Sequence, residues 1–525
     1  MKKVIYNILV ATLVVAGFNG CTDNFEETNT NPRVLTEDFL VENPSVLGQA
    51  FAQSQYTSLN GLHWRFQISQ NLFSDLWCQY YATTAVNFPS DRYTQVGRWA
   101  DLAWSSFYGQ AAPQIKLVED LSEQAGEDAL NAVAKIWRVH GYHRMTDYWG
   151  PVIYSSYGNV DFEQANITVP YDSQQDIYND FFTTLDEAVS VLKANTSAAI
   201  FPSDDRVYGG DAAKWLRFAN SLRLRLAMRI RYADPAKAQA EAEKAVADGV
   251  IESISDEAQV AVDGQNRNPL TTITNWGEFR MSAAMESVLK GYDDPRLPTY
   301  FSPAVSGDSD GDSNPYEGLL NGQTQVALGV SQNDLNSDVA TRFLNDARGG
   351  SNPPLVVLRA SEVAFLRAEG ALVGWNMGGT EQDFYEEGIR LSMQENAAEG
   401  DVDAYIASTA TPVPYAPGTD PLTDIPVAYD AGGSLERRLE QIITQKWLAL
   451  YPNGWEAWAE LRRTGYPRQY ARSASDNPDV GIADVVRRMV FVSGEFTTNG
   501  PEVEKAIGLL SGADKNNTKV WWDKK

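Results

Sequence analysis

Cysteine, histidine and positive charge are all scarce in this chain. Only 2 cysteines and 3 histidines occur in 525 residues, and Lys+Arg number 43 against 69 Asp+Glu, a formal net charge of -26. So few nitrogen and sulfur ligands leave zinc chemistry and Cys–His catalysis short of parts. A nucleic-acid backbone needs clustered lysine and arginine, so the acidic balance argues against nucleic acid as a partner. The same balance disfavours strongly anionic ligands and makes a neutral one the simpler expectation. No segment reaches ~18 uninterrupted apolar residues, which excludes a bundle of membrane-spanning helices. Neither standard spacing of a glycine-rich phosphate loop occurs, so no nucleotide cofactor is expected.

What is present begins at the N-terminus. Lys2 and Lys3 precede a mostly apolar run from Val4 to Val15, and Phe18-Asn19-Gly20-Cys21 follows. A run of this length is too short to span a bilayer and reads as a signal peptide over 1–20. A cysteine directly after a small residue at this place is similar to a bacterial lipobox, whose thiol is acylated. Phe18 departs from it, since leucine is preferred there; the competing reading is an ordinary signal with a chance cysteine. With Cys21 lipidated only Cys78 remains, so no internal disulfide can form. Each buried acyl CH₂ contributes about 0.8 kcal/mol, enough in number to anchor the chain to a membrane without a spanning helix. The segment after Cys21 holds Asp23, Glu26 and Glu27 and reads as an acidic tether over 21–43, ahead of one compact unit over 44–525. Acidic residues there also resemble the signal that sends lipoproteins to the extracellular face of the outer membrane.

From about residue 44 amphipathic helices dominate. Asp211 can cap a helix whose Trp215, Phe218, Ala219, Leu222 and Leu226 share one face. Ala238, Ala242, Ala245 and Val246 repeat that stripe before Gly249, and Leu435, Leu439, Ile443, Trp447 and Leu450 do so later. Further helices are predicted near 127–147, 172–194, 360–374 and 381–397. Long stretches rich in Gly, Pro, Asn and Asp lie at 255–280, 293–358 and 409–433, where loops of this length are usually functional or flexible. The class is mainly α, and no regular 34-residue period is found.

Enzyme motifs fail on inspection. Gly307-Asp308-Ser309-Asp310-Gly311 fits a nucleophile elbow, but that order needs a later histidine, and His63, His140 and His143 all lie upstream. In the same loop Asp308, Asp310, Asp312 and Asn314 alternate oxygen ligands, which offers a weak calcium candidate. Ser313 and Leu319 stand where an EF-hand wants Gly and Glu, so a solvated acidic turn competes. His140 and His143 at i, i+3 could share one helical face, yet no third ligand follows at motif spacing. Paired carboxylates ~5–10 Å apart cannot be read from sequence, which keeps a glycoside hydrolase as a rival.

Several segments together carry a family likeness. They are Asn29-Thr30-Asn31-Pro32, Asp147-Tyr148-Trp149-Gly150-Pro151-Val152-Ile153-Tyr154, Ser361-Glu362-Val363 through Glu369-Gly370-Ala371-Leu372, Tyr385-Glu386-Glu387-Gly388-Ile389, Gln445 to Tyr451, Glu456 to Pro467, and Trp521-Trp522-Asp523. In order and content they resemble the SusD/RagB-like outer-membrane lipoproteins. A departure falls at Val490 to Glu495, which lacks a usual Tyr-Pro. The resemblance implies tetratricopeptide-like helix pairs with long irregular loops forming the ligand face, and no catalysis. It also implies delivery of a polysaccharide or oligosaccharide to a SusC-like TonB-dependent transporter, with peptide capture in a minority of relatives.

A shallow site for a neutral glycan, a glucan for instance, wants exposed aromatic platforms and amide or guanidinium donors. By analogy with the family it should draw on 77–99 and 274–301. The candidates are Trp77, Tyr81, Asn87, Phe88, Arg92 and Tyr93 in the first and Trp276 and Arg280 in the second. Trp77 and Tyr81 share helical spacing and compete with a core reading. Phe88, Arg92 and Tyr93 neighbour Pro89, and Trp276 precedes Gly277, both turn-like contexts. Trp64 and Trp104 read as helical and structural.

Overall fold

The computed structural model describes residues 44–159 and 167–525. The signal peptide, Cys21 and the tether lie outside the described residues. Ten helices make the frame: α1 Pro44–Thr57, α2 Ala112–Gln124, α3 Asp128–Trp149, α4 Gln174–Ala194 and α5 Ala212–Arg229. Then follow α6 Pro235–Asp248, α7 Ala360–Leu372, α8 Glu381–Glu395, α9 Leu435–Leu450 and α10 Gly454–Thr464.

Most starts are written in the sequence. The side chains of Ser173, Asp211, Asp234, Thr380, Ser434 and Asn453 each accept a backbone N–H in the first turn of α4, α5, α6, α8, α9 and α10. Each such cap stabilises its helix by about 1 kcal/mol. Gly249 and Gly465 take positive φ at the ends of α6 and α10, a conformation that costs glycine nothing.

The connectors at 125–127, 230–234, 373–380 and 451–453 are short, so α2/α3, α5/α6, α7/α8 and α9/α10 fold as helix pairs. The α4 helix packs between α3 and α5, and α5 meets α7, which joins the pairs into one body around a continuous core. This is the tetratricopeptide-like arrangement the resemblance implies. Strand is confined, among the described residues, to two antiparallel two-stranded ribbons. One joins β1 Tyr81–Thr83 to β3 Phe279–Met281, the other β2 Ala258–Val260 to β4 Leu355–Leu358.

The family-like segments meet inside. Arg463 of α10 donates to both carboxylate oxygens of Glu369 of α7 at 2.6 Å, and its Nη2 also donates to Glu460 at 2.6 Å. Arg225 of α5 pairs with Glu362 of α7 at 2.7 Å, and Arg229 with Glu456 of α10 and, at 3.2 Å, Asp147 of α3. Trp522 Nε1 donates to Asp147 at 2.7 Å, which ties the C-terminus to the end of α3. These motif residues therefore specify helix packing.

Candidate functional site

The β1–β3 ribbon decides which loops come together. Thr83 faces Phe279 and Tyr81 faces Met281, so the chain leaving β1 runs beside the chain entering β3. Thr84 N–H donates to the Glu278 carbonyl and its hydroxyl to the Gly277 carbonyl, both at 2.9 Å. The two segments singled out from sequence are thereby adjacent at one end of the ribbon.

At that end Trp276 closes the turn Thr274–Trp276, and Gly277 reverses the chain at φ 66. The Asn333 amide donates to the Gly277 carbonyl at 2.8 Å, and a Cβ on Gly277 would lie 2.9 Å from that amide, so glycine is required twice over. Trp276 is left 41 % exposed, a large share for so big an apolar side chain. Its ring meets His63 edge to face at 5.6 Å and 89°. His63 opens the short helix His63–Phe66, whose Trp64 is half-buried under the Arg65 guanidinium at 4.5 Å. Across the ribbon Val86 and Asn87 are exposed, and half-buried Phe88 stands edge-on to Trp99 at 5.4 Å. Glu278 accepts from Gln67 at 2.5 Å; burial pushes its carboxyl up, against the pull of that hydrogen bond.

The two adjoining segments thus leave indole, phenyl and aliphatic surface of Trp276, Phe88 and Val86 at least partly in solvent, with the amides of Asn87 and Asn275 exposed as well. Such a face can stack on the C–H side of a sugar ring while Asn87 and Asn275 meet hydroxyls. His63, Trp64 and Asn333 did not stand out in the sequence as part of it. The signal was present in Leu62-His63-Trp64-Arg65, where an indole sits among polar residues beside an exposed leucine.

Five of the eight candidates are placed inside. Trp77 is buried against Trp458 at 4.9 Å and donates to the Ser90 carbonyl. Tyr81 donates to the Tyr451 hydroxyl at 3.0 Å within the core. Arg92 pairs with Asp476 at 2.6 Å, and Tyr93 lies beneath the Arg472 guanidinium at 4.0 Å and donates to the Asp484 carbonyl. Arg280 donates to the Asn333 and Phe279 carbonyls. These five are buried, while Asn87, Phe88 and Trp276 reach the surface.

The acidic loop has its own tenant. Asp308, Asp310, Asp312 and Glu317 offer oxygens within 4.8 Å of one another. The Lys290 ammonium enters that cluster, 3.0 Å from Asp312, 3.6 Å from Glu317 and 3.7 Å from Asp310, with its side chain only 3 % exposed. Burial opposes its charge, but the Glu286 and Asp312 carboxylates outweigh that and hold its pKa above the usual lysine range. A calcium ion would have to displace it. Ser309, the elbow's nucleophile, instead donates to Glu317 in a loop with neither strand before nor helix after it. His140 and His143 of α3 are both buried, and no third ligand stands with them among the described residues.

The profile of the SusD-like family, described as SusD and RagB outer membrane lipoprotein, matches residues 27–523. The chain belongs to the SusD-like family. Solved structures agree with this. A chitin-binding SusD homologue from Flavobacterium johnsoniae is 35 % identical, with 91 % of this chain and 99 % of that one covered at a TM-score of 0.81. A SusD homologue from Bacteroides uniformis is 34 % identical over 91 % and 99 %, at a TM-score of 0.80. Another chitin-binding protein is 29 % identical over 91 % and 100 %, at a TM-score of 0.75. No curated protein matches. No described helix of this SusD-like protein is long and apolar enough to cross a membrane.

Proposed function

We propose that this SusD-like protein binds a neutral extracellular polysaccharide through the Trp276 face and passes it to a SusC-like TonB-dependent transporter, without catalysis. The carrying observation is the exposed indole of Trp276, held out by Gly277 and met edge to face by His63. Trp276 and its amide neighbours suit a neutral, hydroxyl-rich polymer better than a charged one. Two of the similar structures are of chitin-binding proteins, so a β-linked N-acetylglucosamine polymer is the first ligand to try, ahead of a glucan. Cys21 is assigned as the lipid anchor on its lipobox, and the transporter on family membership.

Native gels cast with soluble polysaccharides test the reading, with product analysis of the same mixtures. Retardation by glycol chitin or another neutral glycan, with no new reducing ends, supports it. New reducing ends would replace it with a glycoside hydrolase. Retardation by no glycan would point to peptide capture, as in part of the family.

A further inference from the structure

A second site lies deeper, under the helices that carry the Trp276 face. A cavity of about 140 Å³ is walled by Phe66 of the His63–Phe66 helix, Leu270, α3 and the loop around Pro353 and Pro354. A water takes about 30 Å³ of liquid, so the space holds several waters or one small polyatomic ion. What sets it apart is charge. In a chain of net charge -26, four arginines line this cavity against two glutamates.

Half of that positive charge, on Arg144 and Arg342, lacks a carboxylate partner among the described residues. Arg225 is neutralised by Glu362 at 2.7 Å, and the lining Glu456 is taken up by Arg229. Arg144 has no carboxylate within 4 Å among the described residues; it donates to the Ser58 carbonyl at 2.9 Å and Gln70 at 3.1 Å and lies on the Trp455 ring. Arg342 donates to the Asn396 side chain at 2.9 Å, and its Nε has no partner. Arg359, 7 % exposed, donates to the Ala449 and Tyr451 carbonyls at 3.1 and 3.3 Å and lies 4.0 Å from the lining Glu395, while its Nε is unpartnered. Glu395 is already engaged by the Ser361 N–H at 2.7 Å and hydroxyl at 2.6 Å. His140, 2 % exposed, has neither ring nitrogen hydrogen-bonded, and the Nδ1 of His143, 1 % exposed, is also unpartnered.

A buried donor without an acceptor is destabilising, and a buried cation without a counter-charge is more so. Water can meet the donors but leaves the charge. A small oxyanion meets both, because it offers only acceptors and guanidinium forks match its oxygens two at a time. We propose that this cavity is an oxyanion site, taking phosphate, sulfate or a small organic carboxylate between Arg144, Arg342 and Arg359. The half-buried Arg342 and the exposed Pro354 mark its mouth. The site is independent of the glycan reading.

Thermal unfolding of the full mature chain, at constant ionic strength, reads the site out. Phosphate, sulfate and acetate are titrated against chloride. A saturable rise in Tm is expected with at least one of them, and the ion that saturates lowest separates the inorganic from the carboxylate source. Arg342→Gln, at the mouth, should weaken that ion tenfold or more while leaving glycan retardation unchanged. A rise that stays linear is the general effect of excluded salts and overturns the proposal, as does a saturable rise that Arg342→Gln retains. Should the variant fold poorly, wild-type crystals soaked in selenate decide: an anomalous peak beside Arg144 and Arg342 upholds the site, and waters alone there overturn it.

Discussion

Trp276→Ala removes the largest exposed apolar side chain of the proposed ligand face, and its effect can be worked out in advance. A tryptophan buries up to about 250 Å² on full contact, so the 41 % left exposed leaves about 100 Å² for a sugar to cover. At about 25 cal/mol per Å² that contact contributes about 2.5 kcal/mol, or roughly 50- to 100-fold in affinity. Calorimetry with a chito-oligosaccharide, or with whichever neutral glycan retards the protein, should show that loss in a variant whose circular dichroism matches wild type. The control is Tyr93→Ala, a candidate of the same chemical kind that is buried beneath Arg472. It should lose stability first, by about 3 kcal/mol or more as for other buried aromatics. A folded Trp276→Ala variant that binds as tightly as wild type would refute the reasoning about this face.

Three further outcomes follow from the interior. Glu369→Gln removes one of the two carboxylates forked onto Arg463, the other being Glu460, and the partner of Arg231 in a buried network, and should cost about 3 kcal/mol in urea unfolding; a loss under about 1 kcal/mol would show the network to be dispensable. Burial, and then the neighbouring Glu395, push Glu257 up to about 9 from 4.5, so the native chain keeps a proton that the unfolded chain releases. Its contribution to stability is therefore full below about pH 4.5 and is lost as pH rises towards 9, by at most about 1.4 kcal/mol per pH unit. Glu257→Gln should thus gain on wild type in Tm from pH 5 to pH 9, and a constant difference would contradict the assignment. Because Lys290 already fills the Asp310–Asp312–Glu317 cluster, millimolar calcium should leave the wild-type Tm unchanged and raise that of Lys290→Gln. A saturable calcium shift in wild type would reverse that picture.

The helical frame was legible because its determinants are local. Asp211 caps the helix it was expected to cap, and Trp215, Phe218 and Leu222 are fully buried along one stripe. The predicted span 172–194 is α4 within two residues, and 360–374 and 381–397 are α7 and α8. Which of the candidate side chains reach the surface was only partly legible. Trp276 was readable from its following glycine, which marks a turn that cannot bury a side chain on both faces. Arg92, Tyr93 and Tyr81 were not, since what buries them is Asp476, Arg472 and Tyr451, more than 350 residues further along the chain. Local composition around Pro89 gives a turn but says nothing of the segment that packs over it. The acidic loop's alternating oxygens were readable, but the lysine that enters them was not. Lys290 comes from the short helix Ala283–Gly291 just ahead of the loop, and no spacing motif marks it as the loop's partner.

A structure of the protein with a bound chito-oligosaccharide tests the central claim most directly. The account predicts a sugar ring stacked on the Trp276 indole at van der Waals distance, with Asn87 or Asn275 on its hydroxyls and no cleaved product. A glycan seated elsewhere, with the Trp276 face bare, would contradict it.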